Sequence, residues 1–197
     1  MPKGVPLTKE AQKERRKEIF AASLHLFLEK GFTETSMREI ADAAGIGKST
    51  LYDYYKSKDE ILVSYYQNEL RRIMKHAEKI AKQDISNKEK LTQIMYMHLA
   101  YLLENRKNFW RLSMEAQRLS IESQGKIQVF RHSYQDLLKQ IVADGVQAGE
   151  FRSINPQITA RSILSLLSIA AFTTRPTGTP EEMLDEILSI CFEGISA

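Results

Sequence analysis

The sequence predicts an all-α chain of about nine helices, three within residues 1–56 and six within residues 57–197. Three observations carry that prediction. Ser36-x-x-Glu39, Ser57-x-x-Glu60, Ser86-x-x-Glu89 and Thr179-x-x-Glu182 each match the capping box, in which a hydroxyl and a carboxylate satisfy orphan N–H groups at a helix start. Apolar residues recur at spacings of three and four, and no segment sustains the alternation of a half-buried strand. Glycine (9) and proline (5) are too few for a fold rich in strands and turns.

The first helix is expected over residues 9–30, closed by Gly31. Ile19, Phe20, Ser23, Leu24, Phe27 and Leu28 give it an apolar face broad enough for two neighbours. The second covers 37–44, with Met37, Ile40, Ala41 and Ala44 at i, i+3, i+4 and i+7 and Gly45 as its stop. A short third helix, 48–54, follows Gly47. The fourth to seventh are expected over 58–82, 87–104, 107–118 and 123–148, the last stopped by Gly149. The eighth (156–174) and ninth (180–194) each open on a proline behind a capping residue, Asn155-Pro156 and Thr179-Pro180. The eighth carries Ile163, Leu164, Leu166, Leu167, Ile169, Ala170, Ala171 and Phe172. It is apolar nearly all round, the pattern of a helix buried on every side, and a second subunit could supply one of those sides.

With 43% hydrophobic and 27% charged residues, the composition is that of a soluble globular protein. The net charge of +3 does not by itself point to nucleic acid. Its distribution says more: residues 1–82 hold 16 Lys+Arg against 12 Asp+Glu, residues 83–197 hold 12 against 13, and residues 1–17 hold six against two. A basic front end suits a polyanion and equally suits a solvated helix end. Cys191 is the one cysteine, so no disulfide forms within the chain and a reducing compartment is expected. Its apolar helical surroundings suit a core residue better than a nucleophile. The first twenty residues are too polar for a signal peptide, and no apolar run approaches the roughly 20 residues of a membrane span. A cytoplasmic protein is expected.

The stretch AAGIGKSTLYDYYKSKDE, residues 43–60, carries the functional signal. Gly47-Lys48-Ser49 looks like the end of a phosphate-binding loop. That loop needs glycine where Asp42 stands and a strand where residues 37–44 are helix-periodic, so the nucleotide reading fails. Tyr52, Tyr54 and Tyr55 cannot all face one side of a helix at about 100° per residue, so at least one is at the surface. A helix-turn-helix accounts for the whole stretch. Ala41 is small where two helices cross, Gly45 permits a left-handed turn, Ile46 and Leu51 fill the crevice, and Gly47 caps the second helix. Lys48, Ser49, Thr50, Tyr52, Asp53 and Tyr54 then face a major groove, where their donors and acceptors meet base edges. Lys58, at the start of the next helix, suits a phosphate.

The run GFTETSMREIADAAGIGKSTLYDYYKSKDEIL, residues 31–62, resembles the DNA-binding region of the TetR family of bacterial transcriptional regulators. Phe27, Gly31, Phe32, Thr35, Ser36, Ile40, Ala41, Ala44, Gly45, Ile46, Thr50, Leu51, Tyr52, Tyr54, Lys58 and Leu62 fall on the family pattern, and Tyr55 replaces its usual phenylalanine. Beyond this region the chain resembles the family in helix count and in an Ala-Gly-Glu-Phe turn at 148–151. The resemblance adds Thr35 and Ser36 to the DNA-binding set. It implies a helix-turn-helix DNA-binding domain at 1–56 and an effector-binding and dimerisation domain at 57–197. It further implies a homodimer on a palindromic operator, released when a small molecule moves the fourth helix. Such release requires that the ligand bind the free state better than the DNA-bound state. Repression is the usual outcome in the family, and activation is the alternative.

Two readings stand for Asp53: acceptance from a cytosine amine, or a pair with Lys56 or a neighbouring lysine. Two also stand for Lys13, Arg15, Arg16 and Lys17: backbone phosphate contacts, or a solvated helix end. For the effector pocket the candidates are Tyr66, Met95, His98, Leu102, Trp110, Met114, Phe130 and Tyr134, with Glu115 for a cationic group. Core packing is the competing reading, and the aromatic content suits a partly apolar or aromatic effector. Leu164, Leu167, Ala171, Leu184, Ile187 and Leu188 on the last two helices are the expected dimer contacts. His25, His76, His98 and His132 lack metal-ligand spacing, so neither metal nor cofactor is expected. No nucleophile–base pair stands out, so no enzyme is expected. A helical protein-interaction module would leave Lys48, Tyr52, Tyr54 and Lys58 unexplained.

Overall fold

The computed structural model describes residues 8–195, so Lys3 of the basic front end lies outside the described residues. Among them the chain forms nine α-helices: α1 (Lys9–Glu29), α2 (Met37–Ala43), α3 (Lys48–Tyr54), α4 (Lys58–Ala81), α5 (Asn87–Glu104), α6 (Arg106–Ala116), α7 (Ile121–Gln147), α8 (Pro156–Phe172) and α9 (Pro180–Ile195). All nine expected helices form, and the largest departures are two residues, at the start of α7 and the ends of α6 and α8.

The four capping boxes are not alike. Those at Ser36 and Thr179 are complete, each with the hydroxyl accepting an amide and the glutamate returning to the cap N–H. At α4, Ser57 Oγ accepts from Glu60 N, but Glu60 accepts from Lys56 N at 2.6 Å, one residue earlier than the motif implies. At α5, Ser86 makes its half, and the carboxylate comes from far away. Glu150 accepts from Asn87 N, Asn87 Nδ2 and Lys88 N at 2.8–3.1 Å.

The residues group into two compact units. One holds the described residues up to Tyr66 together with Arg111–Gly125; the other holds Gln67–Trp110 and the described residues from Lys126 onward. The expected boundary after residue 56 falls ahead of the part of α4 that belongs to the first unit. In that unit Ile19, Phe27, Phe32, Ile40, Ala41, Leu51 and Tyr55 are buried. Gly45 takes φ +64° between α2 and α3, and Ile46 N closes the turn on Ala41 O at 3.0 Å. Asp59 on α4 accepts from Ser120 N at 3.1 Å, which ties the α6–α7 turn to the start of α4.

The second unit is built on α5, α8 and α9, which pack on one another around Ile94, Met95, Leu102, Leu138, Ile163, Leu167 and Leu184. Phe151 lies flat against Gly145, where an added Cβ would come within 2.2 Å of the ring. The expectation that α8 is covered on every side is corrected. Ala160, Ile163, Leu167, Ala170 and Ala171 are buried, whereas Ile158 and Ile169 are each 62% exposed. Three of the expected dimer contacts, Leu167, Ala171 and Leu184, are at most 1% exposed, and Ile187 is also buried. All four belong to the protomer's own core. Helical periodicity marks the apolar face without saying which body covers it.

Candidate nucleic-acid interface

α3 has one buried residue, Leu51, which is wholly covered. Gly47 enters the helix in an extended conformation and offers no side-chain cap. The opposite face points away from the protein. Lys48, Ser49, Thr50 and Asp53 are exposed, and Tyr52 is 36% exposed with Lys48 Nζ 6.0 Å from its ring centre. Ser49, Thr50 and Asp53 make no side-chain hydrogen bond or ion pair to any described residue. The pairing of Asp53 with Lys56 is not made, because Lys56 Nζ donates to Tyr52 O at 2.5 Å.

Several other residues assigned to this face also make contacts within the protein. Thr35 is 1% exposed and its hydroxyl donates to Gly31 O at 2.7 Å. Ser36 serves the α2 capping box. Lys30 and then Ser36 hold the Glu39 carboxyl at about 2, so the box stays charged across the neutral range. Tyr54 turns back toward α1: Arg16 Nη1 donates to its carbonyl at 3.1 Å, and the guanidinium lies 5.5 Å from its ring and 5.3 Å from that of the buried Tyr55. Lys58 donates to Phe32 O, Thr33 O and Thr35 O at 2.6, 2.7 and 3.0 Å, with the Phe32 ring 4.8 Å away. An ammonium has three protons, and here all three are used. The phosphate role expected of Lys58 is thereby corrected: it fastens the α1–α2 connection. In the basic arm, Arg15 pairs with Glu18 and Lys17 with Glu14, which leaves Lys13 exposed and unpaired among the described residues.

Beside α3 runs an open groove of about 520 Å³, lined by Thr33, Ser36, Met37, Tyr52, Lys56 and Ser57 among others. Thr33 and Lys56 were not assigned to the site from sequence. Their only signal is polar character next to a motif, which many surface residues share.

Two family profiles match. Bacterial regulatory proteins of the tetR family match residues 19–65, and the tetracyclin repressor-like C-terminal domain matches residues 84–195. The second alone spans more than half of the chain. The chain belongs to the TetR family. This regulator is 26% identical over 135 residues to the fatty acid metabolism regulator protein of Bacillus subtilis, covering 68% of this chain and 70% of that protein. It is 26% identical over 201 residues to the transcriptional repressor KstR2 of Mycolicibacterium smegmatis, covering 97% and 95%. Its fold matches the crystal structure of FadR from B. subtilis in complex with stearoyl-CoA, with a TM-score of 0.78 at 22% identity over 91% of this chain and 98% of that one. The chain is a transcriptional regulator of that family.

The effector candidates of this TetR-family regulator scatter. His98 and Tyr134 meet, Nδ1 to Oη, at 3.0 Å. Met95 and Leu102 are buried in the same unit, and Tyr66 is buried in the first. Phe130 is partly covered and lies 5.1 Å from the Arg71 guanidinium. Trp110 and Met114 are 56% and 55% exposed, so neither lines an interior pocket; Trp110 rests on Phe172 at the surface. Glu115 pairs with Arg118 at 3.4 Å. Among the described residues no cluster of His, Cys, Asp or Glu could hold a metal ion, and no helix is long and apolar enough to cross a membrane.

Proposed function

We propose that the chain represses transcription in the cytoplasm as a homodimer on a palindromic operator, and that an acyl-CoA thioester releases it. The observation that carries the DNA reading is the outer face of α3. Lys48, Ser49, Thr50 and Asp53 stand exposed on one short helix, and the last three have no hydrogen bond or ion pair to the protein. Such groups are free for base edges and phosphates. Thr33 and Lys56 line the groove beside α3, and the exposed Lys13 is free for a backbone phosphate.

The dimer reading moves from the residues expected on sequence to those left uncovered. Ile158, Ser162, Ser165 and Ile169 are exposed along one stripe of α8, and Ile190 on α9 is 63% exposed. Ser165 Oγ already donates to Arg161 O at 3.0 Å, so covering it leaves no donor stranded. The acyl-CoA reading is supported by the likeness to the fatty acid metabolism regulator and to the FadR fold solved with stearoyl-CoA.

Selection from random double-stranded DNA at roughly physiological salt tests the operator claim. An enriched palindrome with half-sites about one helical turn or slightly more apart is expected. Stearoyl-CoA should then release the selected DNA. Enrichment of single half-sites alone would refute the dimer, and release by no acyl-CoA would refute the effector class. Ile169→Glu should give monomers by sedimentation; a variant that stays dimeric places the interface elsewhere.

A further inference from the structure

α5 and α7 bring one polar pair together in the second unit. The His98 and Tyr134 rings lie 5.3 Å apart, with His98 Nδ1 3.0 Å from Tyr134 Oη. Met95, Leu99 and Leu102, the neighbours of His98 on the same side of α5, are buried, and Tyr134 is 3% exposed. Burial alone holds His98 down at about 4 and pushes the Tyr134 phenol well above its usual range; no charged group contributes to either. Both side chains are therefore neutral at neutral pH.

A neutral imidazole has one N–H and one lone pair. A phenol is a better donor than acceptor, and Tyr134 Oη has no other partner, so its O–H donates to Nδ1. The imidazole proton then sits on Nε2, and no described residue accepts from it. His98 is only partly covered, while its apolar neighbours on α5 are fully covered. The ring is thus held on its Nδ1 side by a buried phenol and keeps an accessible edge on the other. The Nε2–H is not one of the buried unpartnered atoms, so it is accessible and free to donate to a ligand that docks against the ring.

We infer that His98, oriented by Tyr134, is the polar anchor of the effector site, and that its Nε2–H donates to the neutral carbonyl oxygen of an acyl thioester. This rests on the acyl-CoA reading above and names the group that recognises the ligand's carbonyl. The pair carries no positive charge, so a free carboxylate entering here would lose its hydration without gaining a counter-charge. A thioester carbonyl accepts one N–H and brings no charge with it. The site therefore selects the activated acyl group over the free acid.

The test uses the full chain, stearoyl-CoA, its thioether analogue S-octadecyl-CoA, which lacks the carbonyl, and stearate, with binding read by calorimetry below the micelle threshold. The wild-type protein should prefer the thioester to the thioether by roughly tenfold, the scale of one buried hydrogen bond. Stearate should bind more weakly than either. His98→Phe should erase the preference by weakening the thioester alone, and His98→Gln, which keeps an N–H donor, should restore part of it. Equal binding of thioester and thioether to the wild type overturns the assignment, and that comparison needs no variant to fold. Equal weakening of both in His98→Phe reduces His98 to a structural role and also overturns it. Binding of neither CoA compound overturns the acyl-thioester reading itself, and this assignment with it.

Discussion

On α3, Ser49, Thr50 and Asp53 stand in water with no partner in the protein; between α5 and α7, the buried Tyr134 phenol is matched by the partly covered His98. The same kinds of group are handled in opposite ways because water sets their cost. An exposed hydroxyl or carboxylate is solvated and loses nothing by waiting, so a surface that reads DNA can be left uncommitted. A buried phenol must be matched by the protein. Lys48 and Lys58 repeat the contrast ten residues apart. One is exposed, and the other has all three protons on backbone carbonyls.

The lysines break that comparison most sharply. Lys58→Met should destabilise the protein by roughly 3 kcal/mol in urea denaturation, because three carbonyls lose a charged donor together. The salt slope of DNA binding should not change. A stable variant with a shallower slope would mean that Lys58 contacts phosphate instead.

An effect of similar size comes from acid. The folded chain holds His98 at about 4, against the ordinary 6.5 of a histidine in the unfolded one. Below pH 6.5 the unfolded chain takes up a proton that the folded chain refuses. Stability is therefore full above 6.5 and falls by roughly 3 kcal/mol as the pH drops to 4. His98→Phe should lack this part of the decline. Glu39 and Glu150, whose carboxyls sit below the usual range, contribute to acid loss in both proteins, so the difference between the two pH profiles isolates the histidine. Parallel profiles would mean that His98 is already solvated.

The smaller effects lie on α3. Lys48→Ala should leave stability within about 0.5 kcal/mol. It should weaken DNA binding several-fold and lower the salt slope by about one. Asp53→Ala should relax preference at one operator position by about 1 kcal/mol. Uniformly tighter binding to every sequence would make Asp53 only a repulsive neighbour.

What the sequence disclosed follows from how local each feature is. Capping boxes, glycine stops and apolar spacing are decided within a few residues, and every helix end was legible to within two positions. The three tyrosines sorted as the helical angle requires: Tyr52 outward, Tyr54 partly covered and Tyr55 buried. Lys58 was misread because the carbonyls of Phe32, Thr33 and Thr35 converge on it only after the α1–α2 connection folds back. Trp110, Met114, Leu167 and Leu184 were misread for the converse reason. An apolar side chain looks the same in sequence whether its own chain covers it, a partner covers it or nothing does.

The Glu150 carboxylate, which closes the start of α5 across 63 residues, also bears on the order of folding. Ser86 can cap α5 as soon as the helix nucleates, since its partner is three residues away. Glu150 can arrive only once α7 has formed and the Gly149 turn has brought the chain back, after a long loop has been closed. The first cap belongs to the nascent helix and the second to the finished unit. Removing the second, by Glu150→Ala, should leave the folding rate nearly untouched and speed unfolding, which makes this carboxylate a latch on the native state's lifetime.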